Sequence, residues 1–205
     1  MLYLINSTLD AQWPTFIMII IIYIVMKYNY LEQTKQRKKL YIELHNLLFI
    51  VYVFLLVSIV SYGKLNTTSG FNLIPFKEIL RYEFLSDLFM LNIVGNILLY
   101  APLGYFMTSF LKRITLKSVL FSGILISLCG EIMQYHIGRT FDIDDIILNG
   151  AGIIVGWSIC KILNGIKSKM PKFLQKDGLY NAISIIIIIV LILYILNVKG
   201  VITIL

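Results

Sequence analysis

Cys129-Gly-Glu-Ile-Met-Gln-Tyr-His-Ile-Gly-Arg-Thr-Phe-Asp-Ile-Asp-Asp-Ile-Ile-Leu-Asn-Gly-Ala-Gly152 gathers four acids, an arginine, a glutamine and an asparagine between two strongly apolar runs. The other apolar runs of the chain carry hardly any charge. An acid beside lipid costs free energy, so a group of them in such a setting needs partners or a task. The remainder of the chain reads as scaffolding that presents this stretch at one face of a membrane.

The composition agrees. With 59% hydrophobic residues and a mean hydropathy of +0.85, the 205-residue chain exceeds the apolar share of soluble domains, about 45–50%. The net charge of +7 would suggest nucleic acid in a soluble protein. Here Lys and Arg cluster in short loops between apolar runs, which is the pattern that orients membrane proteins, and no nucleic-acid motif is present. The N-terminus has no basic n-region and no small-residue cleavage site follows, so the first apolar run reads as a retained helix.

Working outward, the hydropathy pattern predicts an all-α, polytopic membrane helix bundle of about six transmembrane helices, near 14–30, 44–62, 88–111, 116–135, 145–163 and 182–198. Pro14 is expected in the first helical turn and Pro102 to kink the third helix. The basic loops after the first, third and fifth helices belong in the cytoplasm. The connection 63–87 is balanced, with Lys64, Lys77 and Arg81 against Glu78, Glu83 and Asp87, and fits the outside. Both termini then lie outside. Asn72-Leu-Ile-Pro-Phe76 reads either as a re-entrant or interfacial segment or as plain linker. The chain divides into 1–70, with two N-terminal helices; 71–163, a core of three helices; and 164–205, a basic loop and a last helix.

Depth can be counted at about 1.5 Å per helical residue. On that count Asn92 and Asn96 on the third helix, Glu131 and Gln134 on the fourth, and Asn149 on the fifth lie at one level, in the outer half of the bilayer. Asn92, Gly95 and Asn96 share a face, and Asp145, Asn149, Gly152 and Gly156 share another. Gly152 and Gly156 form a GxxxG pair that admits a neighbouring backbone. Asp142, Asp144 and Asp145 can cap the fifth helix, and Arg139 can pair with them. The amides can be simple interhelical bonds. Cys129 and Cys160, on antiparallel helices at different depths, read as buried, unpaired thiols.

The candidate ligand-binding set is therefore Asn92, Asn96, Glu131, Gln134, Arg139, Asp142, Asp144, Asp145 and Asn149, with Glu131 and Asp145 the candidates for catalysis. These groups suit a hard divalent cation, the hydroxyls or amine of a polar headgroup, or an acid–base pair. H-E-x-x-H, G-x-S-x-G and P-loop motifs are absent from the sequence. Nothing in it requires a cofactor, and an enzyme is the less favoured reading.

Asn92-x-x-Gly-Asn96, Tyr100-x-Pro-Leu-Gly104, Glu131-x-x-Gln134 and Gly138-Arg-Thr-Phe-Asp-Ile-Asp-Asp145, followed by Asn149-Gly-x-Gly152 and Gly156, resemble the VanZ-like membrane family. Asn72-Leu-Ile-Pro-Phe76 resembles the family's Pro-Phe loop, so the likeness runs over 71–157. Tyr100, where Phe is more usual, and Gly150, where Thr is common, depart from the pattern. The resemblance implies a multi-pass protein of the bacterial cell membrane. It implies a cell-envelope role of the type member's kind, accessory glycopeptide resistance that lowers sensitivity to teicoplanin, with a membrane lipid or cell-wall precursor as partner. A membrane enzyme or transporter acting on an envelope lipid through its carboxylates is the alternative.

Overall fold

A computed structural model describes residues 2–35, 39–61, 70–111 and 113–198. It is helical almost throughout: α1 Leu2–Thr34, α2 Leu40–Val60, α3 Asp87–Phe110, α4 Leu116–His136, α5 Ile143–Lys169 and α6 Asp177–Val198. Two short strands, β1 Phe71–Asn72 and β2 Phe141–Asp142, complete it together with two 3-10 turns, Ile79–Arg81 and Lys172–Gln175. Four helices, α2 to α5, are long and apolar enough to cross a membrane, and a shorter apolar helix runs over Asp177–Val190. The chain is built as a multi-pass membrane protein. Lys64, Lys112 and residues 36–38 and 199–205, which enter the charge pattern and the tail, lie outside the described residues.

The helices run somewhat beyond the expected apolar limits, most of all at the N-terminus. Pro14 lies inside α1 rather than in its first turn, because the helix starts at Leu2. Asn6-Ser-Thr-Leu-Asp10 is mostly polar and breaks the apolar run, yet a helix needs only its backbone bonds.

The chain divides into two compact units, Met1–Trp13 with Val51–Ile166, and Pro14–Ile50 with Lys167–Leu205. In the first, Leu56, Val60, Tyr100, Leu103, Val119 and Ile153 form the core. α3 and α5 approach closely through glycine. A Cβ on Gly152 would fall on the Ile97 carbonyl, one on Gly156 on the Ala101 carbonyl, and one on Gly104 on the Ile153 carbonyl. With little hydrophobic drive between helices in lipid, such packing is what small residues supply. Pro102 lies inside α3, and one turn earlier the Leu99 carbonyl accepts a hydrogen bond from Tyr52 Oη at 2.9 Å. A neighbouring helix thus serves the backbone beside the proline.

In the second unit, Glu43 on α2 accepts from Tyr23 Oη at 2.8 Å and pairs with Lys27 at 3.5 Å. Asp177 accepts from Tyr41 Oη at 2.9 Å and pairs with Lys39 at 2.8 Å.

Candidate functional site

The three core helices meet at one end, where α4 stops and α5 and α3 begin. α4 terminates in a Schellman motif. Gly138 adopts φ 84°, a left-handed conformation that suits glycine. Its N–H donates to the Tyr135 carbonyl at 3.0 Å, and the Arg139 N–H to the Gln134 carbonyl at 3.0 Å. The turn thereby fixes where Arg139 leaves the helix.

The chain then enters β2, which pairs in parallel with β1: Phe71 opposite Phe141 and Asn72 opposite Asp142. The Phe71 ring also packs on Tyr135, with centroids 4.6 Å apart. Asp142 caps α5. Its Oδ1 accepts from the Asp144 N–H at 2.9 Å and from Asn72 Nδ2 at 2.9 Å. Burial nevertheless outweighs these bonds and raises the Asp142 pKa above the usual carboxylate range. Asp144, only 1% exposed, points back into the long connection. Its Oδ1 accepts from the Phe76 N–H at 2.5 Å, and its Oδ2 from Glu78 and Ile79 at 2.7 and 3.2 Å. The Pro-Phe segment is therefore an ordered loop tied to the first turn of α5, with Phe76 held at φ 65°.

Deeper in, Glu131 is 2% exposed and its Oε2 accepts from the Asp142 N–H at 3.0 Å. Asn96 Nδ2 donates to Asp145 Oδ1 at 2.6 Å, joining α3 to α5. Asn149 Nδ2 donates to Ser127 Oγ at 2.8 Å, joining α5 to α4. These two amides make the interhelical bonds anticipated for such residues. Asn92 instead donates to its own helix, at the Leu88 carbonyl, 2.9 Å away. It sits in a π-helical turn, Met90–Val94, so this part of α3 is not the regular α-helix expected. Such turns recur at functional sites.

Two adjoining cavities result. The outer, of about 320 Å³, is lined by Asp142, Asp144, Asp145, Arg139 and Asn92 together with Glu78, Tyr82 and Thr140. The inner, of about 190 Å³, is lined by Asn92, Asn96, Glu131, Gln134, Arg139, Asp145 and Asn149, with Tyr100 and aliphatic groups. Asn92, Arg139 and Asp145 belong to both. All nine residues singled out from the sequence thus line this double cavity, although the Asp144 carboxylate is occupied by backbone donors. Arg139 does not pair with the aspartates: among the described residues its guanidinium makes no ion pair within 4.0 Å. Gln134 Oε1 and Asn149 Oδ1 are buried without a hydrogen-bond partner among the described residues. No three His, Cys, Asp or Glu side chains among those residues converge as a metal-holding group.

A family model described as VanZ/LLP1 matches residues 15–164, some three quarters of the chain. The chain belongs to the VanZ/LLP1 family. The match takes in α2 and much of α1 as well as the 71–157 stretch that carries the motifs. No curated protein and no solved structure matches the chain. In this VanZ/LLP1 protein the family resemblance and the double cavity fall on the same residues.

Sequence reasoning missed Asn72, Glu78, Tyr82 and Ser127. Ser127 had a signal, since it precedes Glu131 by one turn and Gln134 by two on a single stripe. The loop element that begins at Asn72 was noted, but its bond to Asp142 was not legible, because the partner lies 70 residues away. Cys160 is buried and unpaired, whereas Cys129 is unpaired but exposed on the helix surface, contrary to the buried thiol expected. An apolar run marks a residue as membrane-embedded without saying whether it faces lipid or protein.

Proposed function

We infer that this VanZ/LLP1 protein is a factor of the bacterial cell envelope. Its double cavity lies at the outer face of the cell membrane and binds the polar end of a membrane lipid or lipid-linked cell-wall precursor, which lowers glycopeptide access to that precursor. The observation that carries this reading is the join between the two cavities. There Arg139, without an ion pair among the described residues, meets carboxyl groups, and two buried carboxamide oxygens are left for a ligand. The basic loops after the first, third and fifth apolar runs support this orientation, with six crossings and both termini outside. No resident cofactor enters this reading.

Expression in a glycopeptide-sensitive Gram-positive host tests it. The minimum inhibitory concentration of teicoplanin should rise more than that of vancomycin, and Arg139→Gln should cancel the rise at an unchanged membrane level. No change for either drug despite membrane expression rejects the resistance role. Orientation is tested separately with Thr140→Cys, at an exposed position. An impermeant maleimide should label it in intact cells, and labelling only after permeabilisation would place the cavity on the cytoplasmic side.

The enzymatic or transport alternative makes Glu131 and Asp145 the proton carriers. On that reading Glu131→Gln and Asp145→Asn abolish turnover of an envelope lipid without lowering protein level.

A further inference from the structure

The inner cavity offers mainly acceptors. Gln134, 9% exposed, and Asn149, 4% exposed, each present a buried carboxamide oxygen without a partner among the described residues. The Asn149 NH₂ is already committed to Ser127, which leaves its oxygen as the open atom. Glu131 and Asp145 add carboxyl groups that, among the described residues, accept one hydrogen bond each, from the Asp142 N–H and from Asn96. A buried acceptor without a donor costs about 1–3 kcal/mol, so the cavity favours an occupant rich in N–H groups. A primary ammonium carries three donors and no acceptor. Hydroxyls bring one donor each, and a quaternary ammonium none.

Arg139, the single cation of the lining among the described residues, stands at the other end of this arrangement. Arg139 borders both cavities, and among the described residues it has no ion pair. Its planar fork suits a phosphate or carboxylate. A simple anion would reach it only among Asp142, Asp144 and Asp145, whose charge opposes entry. A ligand bearing both signs meets both ends at once.

We propose that the double cavity is a seat for a primary-amine zwitterion of the phosphoethanolamine type, with its phosphate at Arg139 in the outer cavity and its ammonium in the inner cavity on Gln134, Asn149, Glu131 and Asp145. This deepens the lipid-binding reading and rests on it. The chemistry is shared by a phosphatidylethanolamine headgroup and by free phosphoethanolamine. The hydrophobic helix surfaces beside the site favour the lipid, for which acyl chains add affinity.

The test uses the full-length chain, delipidated in mild detergent and titrated with mixed micelles. These contain phosphatidylethanolamine, phosphatidylcholine or phosphatidylglycerol with identical acyl chains, and free phosphoethanolamine forms a further arm. Thermal shift and native mass spectrometry are the readouts. Phosphatidylethanolamine should bind at least about tenfold tighter than the other two lipids, the factor that 1.4 kcal/mol represents. Arg139→Gln and Gln134→Leu should each remove at least about tenfold of that affinity. Gln134→Glu, which keeps an acceptor, should retain the preference, so a Leu variant that fails to fold does not end the test. Weak binding of free phosphoethanolamine with the same Arg139 dependence supports the assignment and identifies the lipid as the tighter source. Equal, Arg139-dependent binding of all three lipids overturns the ammonium assignment and leaves the lipid-binding reading standing. Absence of binding in every arm overturns both.

Discussion

Asp144→Ala should lower the unfolding free energy by about 3–5 kcal/mol, the largest loss expected from any single change at the site. A hydrogen bond to a charged group contributes about 1.5–3 kcal/mol net, and Asp144 accepts three, from Phe76, Glu78 and Ile79. Because they share one carboxylate they do not simply add. The bonds link positions 65 to 68 residues apart, so their loss frees the loop from α5 as well as stranding three donors. Asp144→Asn should lose less, since one acceptor oxygen survives. Thermal unfolding in mild detergent is the measurement, with the midpoint of the Ala variant falling by about 10 °C for a chain of this size. A midpoint within about 2 °C of wild type, a margin of about 0.5–1 kcal/mol, would contradict the anchoring role.

Gly156→Ala carries the second large effect, and its sign is informative. Replacing glycine by alanine inside a helix ordinarily gains about 0.5–1 kcal/mol. At Gly156 the added Cβ would lie on the Ala101 carbonyl oxygen and 2.6 Å from the Tyr105 nitrogen. Both obstacles are backbone, so α3 and α5 must separate, and overpacking of that kind costs about 1–3 kcal/mol. A loss near the upper end, about 3 kcal/mol, is expected. Gly165→Ala on the same helix is the control: its Cβ would meet no heavy atom within 4 Å, so it should be neutral or stabilising by up to about 1 kcal/mol. Equal midpoints for the two variants would show that α3 and α5 do not touch through Gly156.

These two residues also mark how far the sequence could be read. The closeness at Gly156 was legible, because GxxxG on an apolar run has one mechanical meaning and it follows from spacing alone. So was the level at which Asn96, Glu131, Asp145 and Asn149 meet, since helical rise is fixed. The role of Asp144 was not legible. Beside Asp142 and Asp145 it looks like one more cap or ligand, and only the folded chain brings the backbone of Phe76, Glu78 and Ile79 to it. The π turn at Asn92 was equally hidden, as the apolar pattern of Met90–Val94 reads as ordinary α-helix. Arg139 looked like a partner for three nearby aspartates. The Schellman turn at Gly138 sets its position instead, and Asp144 spends both its oxygens on the loop backbone.

The grip of Asp144 on the loop is blind to side chains. It takes hold of main-chain N–H groups, which every residue except proline carries. In a saturation-mutagenesis screen, positions 78 and 79 should therefore accept most residues other than proline, while position 144 should accept at most asparagine. Position 76, at φ 65°, should favour glycine or asparagine among its replacements. Glu78 and Ile79 also line the outer cavity. The loop is thus an exchangeable cassette on a fixed fastening, and the part of the outer cavity it lines can be rewritten without rebuilding the helices that hold it.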